Sequence, residues 1–342
     1  MPLLDCGESL HIHTASPVRS WRVTGKRSRD EDHGSSPLDA GVLCRRAPGG
    51  LELSSCAQQP IVAAAVQAQE TVQVPVAAIG GGDGARKVEA LVRQPSSGSG
   101  QAKYPAVILL HSSWGWADDH EGAGVYAEAL SRAGYVTPEP RMFPGMGGNG
   151  PPASYLPELF GVLKYAATRP DVDPNRIAVS GFSFGGILSL IAATKWANES
   201  YLNGSPRAAA YAPFYPVCWF FKAYVKGRPS PVPTDAWLEW TGAPVKIFAG
   251  GKDDYDDRDP NACQEAIDSL PELGRKSFSV KVYASATHGW DQRRAATFYE
   301  SLACKGRGCY NSNAPDAQVT QQSIKDLIEF LGTAMPPRLV DR

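Results

Sequence analysis

Short β-branched or apolar runs alternate with helical patterns from Thr71 almost to the end of the chain, and no other feature restricts the possible folds so strongly. The runs are Ala106-Val107-Ile108-Leu109-Leu110, Tyr135-Val136-Thr137, Arg176 to Ser180, Val245-Lys246-Ile247-Phe248 and Phe278 to Tyr283. Helical patterns occupy Val125 to Ala133, Tyr155 to Thr168, Gly185 to Ala197, Asn261 to Leu270 and Gln321 to Leu331. This alternation implies an α/β fold, with a mainly parallel twisted sheet covered by helices on both faces. Val72 to Val76 and Lys87 to Val92, separated by a Gly-rich turn at Gly80 to Gly84, predict an antiparallel hairpin at the sheet edge.

We assign residues 69–342 to one domain and residues 1–68 to a leader. The leader is rich in Arg, Ser, Asp and Gly and has no sustained period, which predicts disorder. Within it, Arg45-Arg46 followed by Ile61 to Ala68 resembles the end of a secretory signal, with a small-x-small cleavage point after Ala68. Export to a periplasm or out of the cell is weighed on that ground against a cytosolic protein with a loose tail. The 34 Lys and Arg balance 35 Asp and Glu, without a block of like charge. That removes the usual sequence argument for nucleic-acid or anionic-membrane partners. No apolar run reaches the 18 or so residues of a membrane span. The expected partner is a small molecule, and the expected assembly a monomer or small homo-oligomer.

None of the seven cysteines has the CxxC spacing of a zinc site, so no metal is expected. Cys304 and Cys309 flank a Gly-containing loop, and Cys218 and Cys263 close a longer one. We predict both pairs as disulfides, the second worth about 4 kcal/mol in chain entropy. The competing reading is four buried thiols in a reduced compartment.

Asp173 to Ser180 leads into Gly181-Phe182-Ser183-Phe184-Gly185-Gly186 and then an apolar helix. As a pentapeptide, G-x-S-x-G is weak evidence. In a strand-turn-helix setting it is much stronger, because a nucleophile elbow needs a sharp turn directly after a buried strand. Glycines two before and two after the serine relieve crowding where the two backbones approach. A serine hydroxyl needs a base within hydrogen-bond reach, oriented by a carboxylate. Three of six histidines lie in the leader, leaving His111, His120 and His288. His288 follows the strand ending at Tyr283 and is the natural base. For the acid, the strand Val245 to Phe248 runs into Gly250-Gly251-Lys252-Asp253-Asp254-Tyr255-Asp256-Asp257, where spacing alone does not choose. Asp253, first past the glycines, is favoured over Asp254, and the others are read as solvated surface charge. Two backbone N–H donors must receive the oxyanion. Phe184 supplies one, and the loop His111 to Trp116 supplies the other through Ser113. His111 itself is read as fixing that loop.

Taken together these segments resemble the dienelactone hydrolase family of α/β-hydrolases over about residues 71 to 333. Besides the elbow, the matching pieces are Val107 to His111, Ala127 to Val136, Val172 to Ile177, Phe214 to Cys218, Gly250 to Asp254 with Cys263 following, and His288-Gly289-Trp290-Asp291. The resemblance implies an α/β-hydrolase fold and places the acid on Asp253. It also exposes departures. The family's type members carry a Cys nucleophile and a Glu directly after the loop histidine, where this chain has Ser183 and Ser112. They hold an anionic lactone with an Arg four residues after the catalytic His, where this chain has Gln292 with Arg293 beside it. The implied activity is a serine-nucleophile hydrolase of carboxylic esters or lactones, needing no cofactor. Trp114, Trp116 and Trp290 flank the catalytic positions and are candidates to bind an apolar or aromatic substrate group. A peptidase or acyltransferase on the same fold, or a silent binding protein, are the rival readings.

Overall fold

A computed structural model of the chain describes residues 68–76, 86–95, 103–116, 122–145, 148, 150–202, 204 and 206–336. The chain divides into two units after Ile61, and everything described belongs to the second. The leader with its signal-like run, the Gly80 to Gly84 turn and His120 therefore lie outside the described residues.

The elements in chain order are β1 (Gln69–Val76), β2 (Arg86–Arg93), β3 (Tyr104–Leu110), α1 (Ala123–Arg132), β4 (Thr137–Pro140), α2 (Leu156–Thr168), β5 (Val172–Phe182), α3 (Phe184–Ala192), α4 (Lys195–Tyr201), β6 (Ala210–Phe214), α5 (Cys218–Val225), β7 (Val245–Gly250), α6 (Ala262–Asp268), α7 (Glu272–Arg275), β8 (Phe278–Tyr283), β9 (Ala296–Glu300), α8 (Ala303–Gly306), β10 (Cys309–Asn313) and α9 (Ala317–Ala334). Strands β3-β5-β6-β7-β8 pair in parallel, and β1-β2-β4 pair antiparallel. A parallel bridge between Ala106 and Val136 joins the two sets. Val107 N–H donates to Val136 O and Val136 N–H to Pro105 O, each at 2.9 Å. The sheet order is thus β1-β2-β4-β3-β5-β6-β7-β8.

The run Ala106 to Leu110 is apolar throughout because both faces of its strand are covered. Ala106, Ile108 and Leu110 pack into one core with α2, α3 and α5, while Val107 and Leu109 point into a second core with α1 and α9. The chain leaves β3 toward β4 and later leaves β5 toward β6, in opposite directions across the sheet. The crevice beyond the carboxyl ends of β3 and β5 is therefore a topological switch point, the usual ligand site of an open α/β sheet.

Sequence and structure differ at several elements, helix α5 among those without a sequence reading. The single helix expected over Gly185 to Ala197 is two, because Thr194 ends one and caps the next. Its Oγ1 donates to Ile191 O at 2.8 Å and accepts from Ala197 N–H at 3.2 Å. Strand β6 had no sequence signal, being Ala-Tyr-Ala-Pro-Phe without a β-branched residue. The β9–β10 hairpin, paired from Ala296↔Asn313 to Glu300↔Cys309, was likewise unforeseen. Disulfides join Cys218 to Cys263, tying α5 to α6, and Cys304 to Cys309 at the turn of that hairpin. No described helix is long and apolar enough to cross a membrane.

Candidate active site

Ser183 sits between β5 and α3 with φ 50° and ψ −106°, in the left-handed region that a residue with a side chain seldom occupies. Such a conformation costs about 1–3 kcal/mol and persists only where its surroundings impose it. Here Ser183 N–H donates to Phe214 O at 3.0 Å and Ile187 N–H to Ser183 O at 2.9 Å. The flanking glycines are needed for space. A Cβ on Gly181 would lie 2.3 Å from Gly185 O, and one on Gly185 would lie 2.4 Å from Leu110 O. The tight turn and the close approach of helix to strand thus demand these glycines.

His288 lies in the loop after β8, and its Nε2 is 2.8 Å from Ser183 Oγ while its Nδ1 is 2.7 Å from Asp253 Oδ2. Facing a carboxylate, Nδ1 carries the proton and donates, which leaves Nε2 as the acceptor of the serine hydroxyl. The ring is clamped by Tyr215, edge-on at 4.8 Å, and Tyr255 at 4.3 Å. Asp253 and His288 are both buried. The second oxygen of Asp253 accepts Tyr255 N–H at 2.9 Å.

Of the neighbouring carboxylates that the sequence suggested are solvated, Asp257 is exposed but Asp256 is not. Asp254 accepts Ser312 N–H at 2.9 Å and pairs with Arg258 at 2.7 Å. Asp256 is buried and accepts the N–H groups of Cys218 and Trp219 at 3.0 and 2.7 Å, holding the start of α5. Burial, aided by the Asp253 charge, pushes its carboxyl up to about 7. Asp257 and Asp259 pair with Arg307 and Lys305. Cys304 N–H donates to Asp254 O and Lys305 N–H to Tyr255 O. The acidic loop is thus the seat on which the β9–β10 hairpin docks.

In the loop after β3, Ser113 N–H has no acceptor among the described residues. Phe184 N–H opens α3, where the first N–H groups of a helix lack intrahelical partners. His111 holds the loop from beneath: Nδ1 donates to Ser112 O at 2.8 Å, and Nε2 accepts Met142 N–H at 3.2 Å. Burial pulls its imidazole down to about 4, so the ring is neutral.

A cavity of about 420 Å³ opens over Ser183 and His288. Of the three tryptophans singled out from sequence, Trp114 lines it, edge-on to Phe298 at 5.8 Å. Trp116 instead lies under the Arg141 guanidinium at 4.8 Å. Trp290 is fully buried in the second core against Tyr215 and Tyr283, with Nε1 toward Ser323 Oγ at 3.4 Å. Gly289, at φ +62°, turns the chain between His288 and Trp290, so adjacency in sequence does not put them on the same side. Sequence reasoning missed Tyr255, Phe298, Tyr299, Glu300 and Asn313, all of which line the cavity. Only the alternation in Thr297 to Glu300 hinted at a strand there. Gln292, noted as a departure, also lines the cavity, and its Oε1 accepts from Asn313 Nδ2 at 3.1 Å.

Cys218, Cys263 and Asp256 have ligand atoms within 4.8 Å of one another, but the two sulfurs are spent in the disulfide and the carboxylate on α5.

The dienelactone hydrolase family model matches residues 88–334. None of the curated proteins matches the chain. Among solved structures, Thermogutta terrifontis esterase 2 phosphorylated by paraoxon is similar at 14% identity and TM-score 0.52, over 78% of this chain and 96% of that one. A butyrate-bound form of that Thermogutta esterase shows 16% identity and TM-score 0.51, over 75% and 94%. Est1E from Butyrivibrio proteoclasticus shows 15% identity and TM-score 0.50, over 77% and 99%. At such identities these structures speak for the fold. The match across most of the chain shows that the protein belongs to the dienelactone hydrolase family and is a carboxylic ester hydrolase.

Proposed function

We propose that the protein is a serine hydrolase of small esters or lactones, working through an acyl-enzyme on Ser183. The observation that carries this reading is the relay of 2.8 Å from Ser183 Oγ to His288 Nε2 and 2.7 Å from His288 Nδ1 to Asp253. His288 takes the hydroxyl proton as Ser183 attacks the ester carbonyl. Asp253 holds the tautomer that makes Nε2 a base and stabilises the imidazolium that forms. The N–H groups of Phe184 and Ser113 receive the oxyanion. His288 then returns the proton to the leaving alcohol, and water, activated by the same nitrogen, releases the acid.

The cavity volume falls in the range of small-molecule sites, and its aromatic wall favours apolar or aromatic groups. With Gln292 where the family's type members place Arg, none of the described lining residues offers a fixed cation for an anionic lactone. The test is hydrolysis of short p-nitrophenyl esters by wild type, Ser183→Ala and His288→Ala. Wild-type turnover with both variants down by at least about a thousandfold supports the reading. Equal rates in all three would overturn it.

A further inference from the structure

The β9–β10 hairpin brings a single charged side chain to the cavity. Along β9 the residues alternate in exposure, so Phe298 and Glu300 share the inward side while Tyr299 is 62% exposed. Among the described lining residues Glu300 carries the one permanent charge; the rest are aromatic, hydroxyl or amide groups and His288. Its Oε1 is held by Leu302 N–H at 3.0 Å and Ser301 Oγ at 3.2 Å, and its Oε2 has no partner among the described residues. The carboxylate is close enough to Tyr255 to push that phenol up, second only to burial and ahead of Asp253. Tyr255 in turn packs on His288. Of the cations in the neighbouring loops, Arg258, Lys305 and Arg307 are each paired with an aspartate, and neither they nor Arg293 and Arg294, which follow Gln292, line the cavity.

A carboxylate set among aromatic rings is the arrangement that attracts an organic cation, by Coulomb attraction and by the negative faces of the rings. We propose that this cavity selects esters bearing an ammonium or quaternary ammonium group, held between Glu300 and the rings of Trp114, Phe298 and Tyr255. The proposal rests on the serine-esterase reading above. A substrate with a carboxylate in the same place meets repulsion instead, which separates this chain from relatives that hold an anionic lactone.

The experiment uses the full chain and matched pairs of esters in which carbon replaces a quaternary nitrogen. One pair has the charge on the leaving group: butyrylthiocholine and its tert-butyl isostere. The other has it on the acyl group: the p-nitrophenyl ester of trimethylammoniobutyrate and its tert-butyl isostere. The quantity read is the ratio of kcat/KM, cation to isostere, within each protein, so that any general loss of activity cancels. We expect a ratio of about ten or more in at least one pair, shrinking as salt screens it, and falling toward one in Glu300→Gln. Glutamine keeps an acceptor for Leu302 N–H, so the hairpin end is retained. A ratio near one in both pairs, or a preference that survives Glu300→Gln, overturns the proposal. If none of the four esters, cationic or neutral, shows Ser183-dependent turnover, the esterase reading itself fails and takes this inference with it.

Discussion

Replacing Asp253 by Asn alters no atom count in the relay, yet the hydrogen-bond geometry predicts that it disables the base. Both oxygens of Asp253 face donors: Oδ2 faces His288 Nδ1 at 2.7 Å, and Oδ1 faces Tyr255 N–H at 2.9 Å. An Asn must turn its NH2 toward one of them. Turned toward Tyr255, it buries two donors against each other at a cost of about 1–3 kcal/mol. Turned toward His288, it satisfies every group, provided that Nδ1 becomes an acceptor. The second arrangement wins, and it moves the ring proton to Nε2, where a base is needed. Loss of the correct tautomer in a Ser-His-Asp site costs about 10⁴ in turnover, or roughly 5 kcal/mol of barrier. Asp254→Asn is the control, since that side chain holds Ser312 and an exposed Arg258, an ion pair worth at most about 1 kcal/mol. We expect its kcat to fall by no more than about threefold. The assay is kcat and kcat/KM on p-nitrophenyl butyrate, with thermal melting to confirm folding. A folded Asp253→Asn within tenfold of wild type, or a larger loss in Asp254→Asn, would refute this reasoning.

Three further outcomes follow from the packing. Gly185→Ala places a Cβ against Leu110 O and His111 O, where only backbone can give way, and should cost at least about 2 kcal/mol in urea unfolding. Cys304→Ser with Cys309→Ser releases a short ring worth about 2 kcal/mol and loosens the hairpin that supplies Phe298 and Glu300. Because neither Ser183 nor His288 lies on that hairpin, KM should rise several-fold while kcat changes less. His111 is held near 4 in the folded state against about 6.5 unfolded, so its contribution is complete above about 6.5 and lost as pH falls toward 4. Unfolding free energies from urea titrations should decline over that window by up to about 3 kcal/mol, and His111→Gln should flatten this slope.

What the sequence could carry was whatever depends on local pattern. Apolar runs such as Ala106 to Leu110 identify buried strands, and the crowding around Ser183 forces glycines that can be read directly. The choice between Asp253 and Asp254 was narrowed by position after Gly250-Gly251, since a strand end that turns sharply leaves the first acid aimed at the site. Features that depend on remote docking left no such mark. The hairpin of β9 and β10 stays in place through Asp254, Asp257 and Asp259, whose partners lie some 50 residues away. Without those partners in view, Asp257 read as surface charge and Asp254 as the second candidate for the acid. Strand β6 is the middle of the five parallel strands, with Pro213 in it, and is specified by its neighbours, Phe248 stacking on Phe214 and Phe182 packing against it at a tilt. Trp290 stands two residues from His288 yet faces the core, because Gly289 reverses the chain between them.

The central claim is that Ser183 is the nucleophile, and covalent labelling tests it most directly. A fluorophosphonate should add once per chain, at Ser183 by peptide mapping, with esterase activity falling in step with the labelled fraction. Labelling should be slowed by orders of magnitude in His288→Ala. Full activity in fully labelled protein, a modification at another residue that accompanies inactivation, or undiminished turnover by Ser183→Ala would contradict the account.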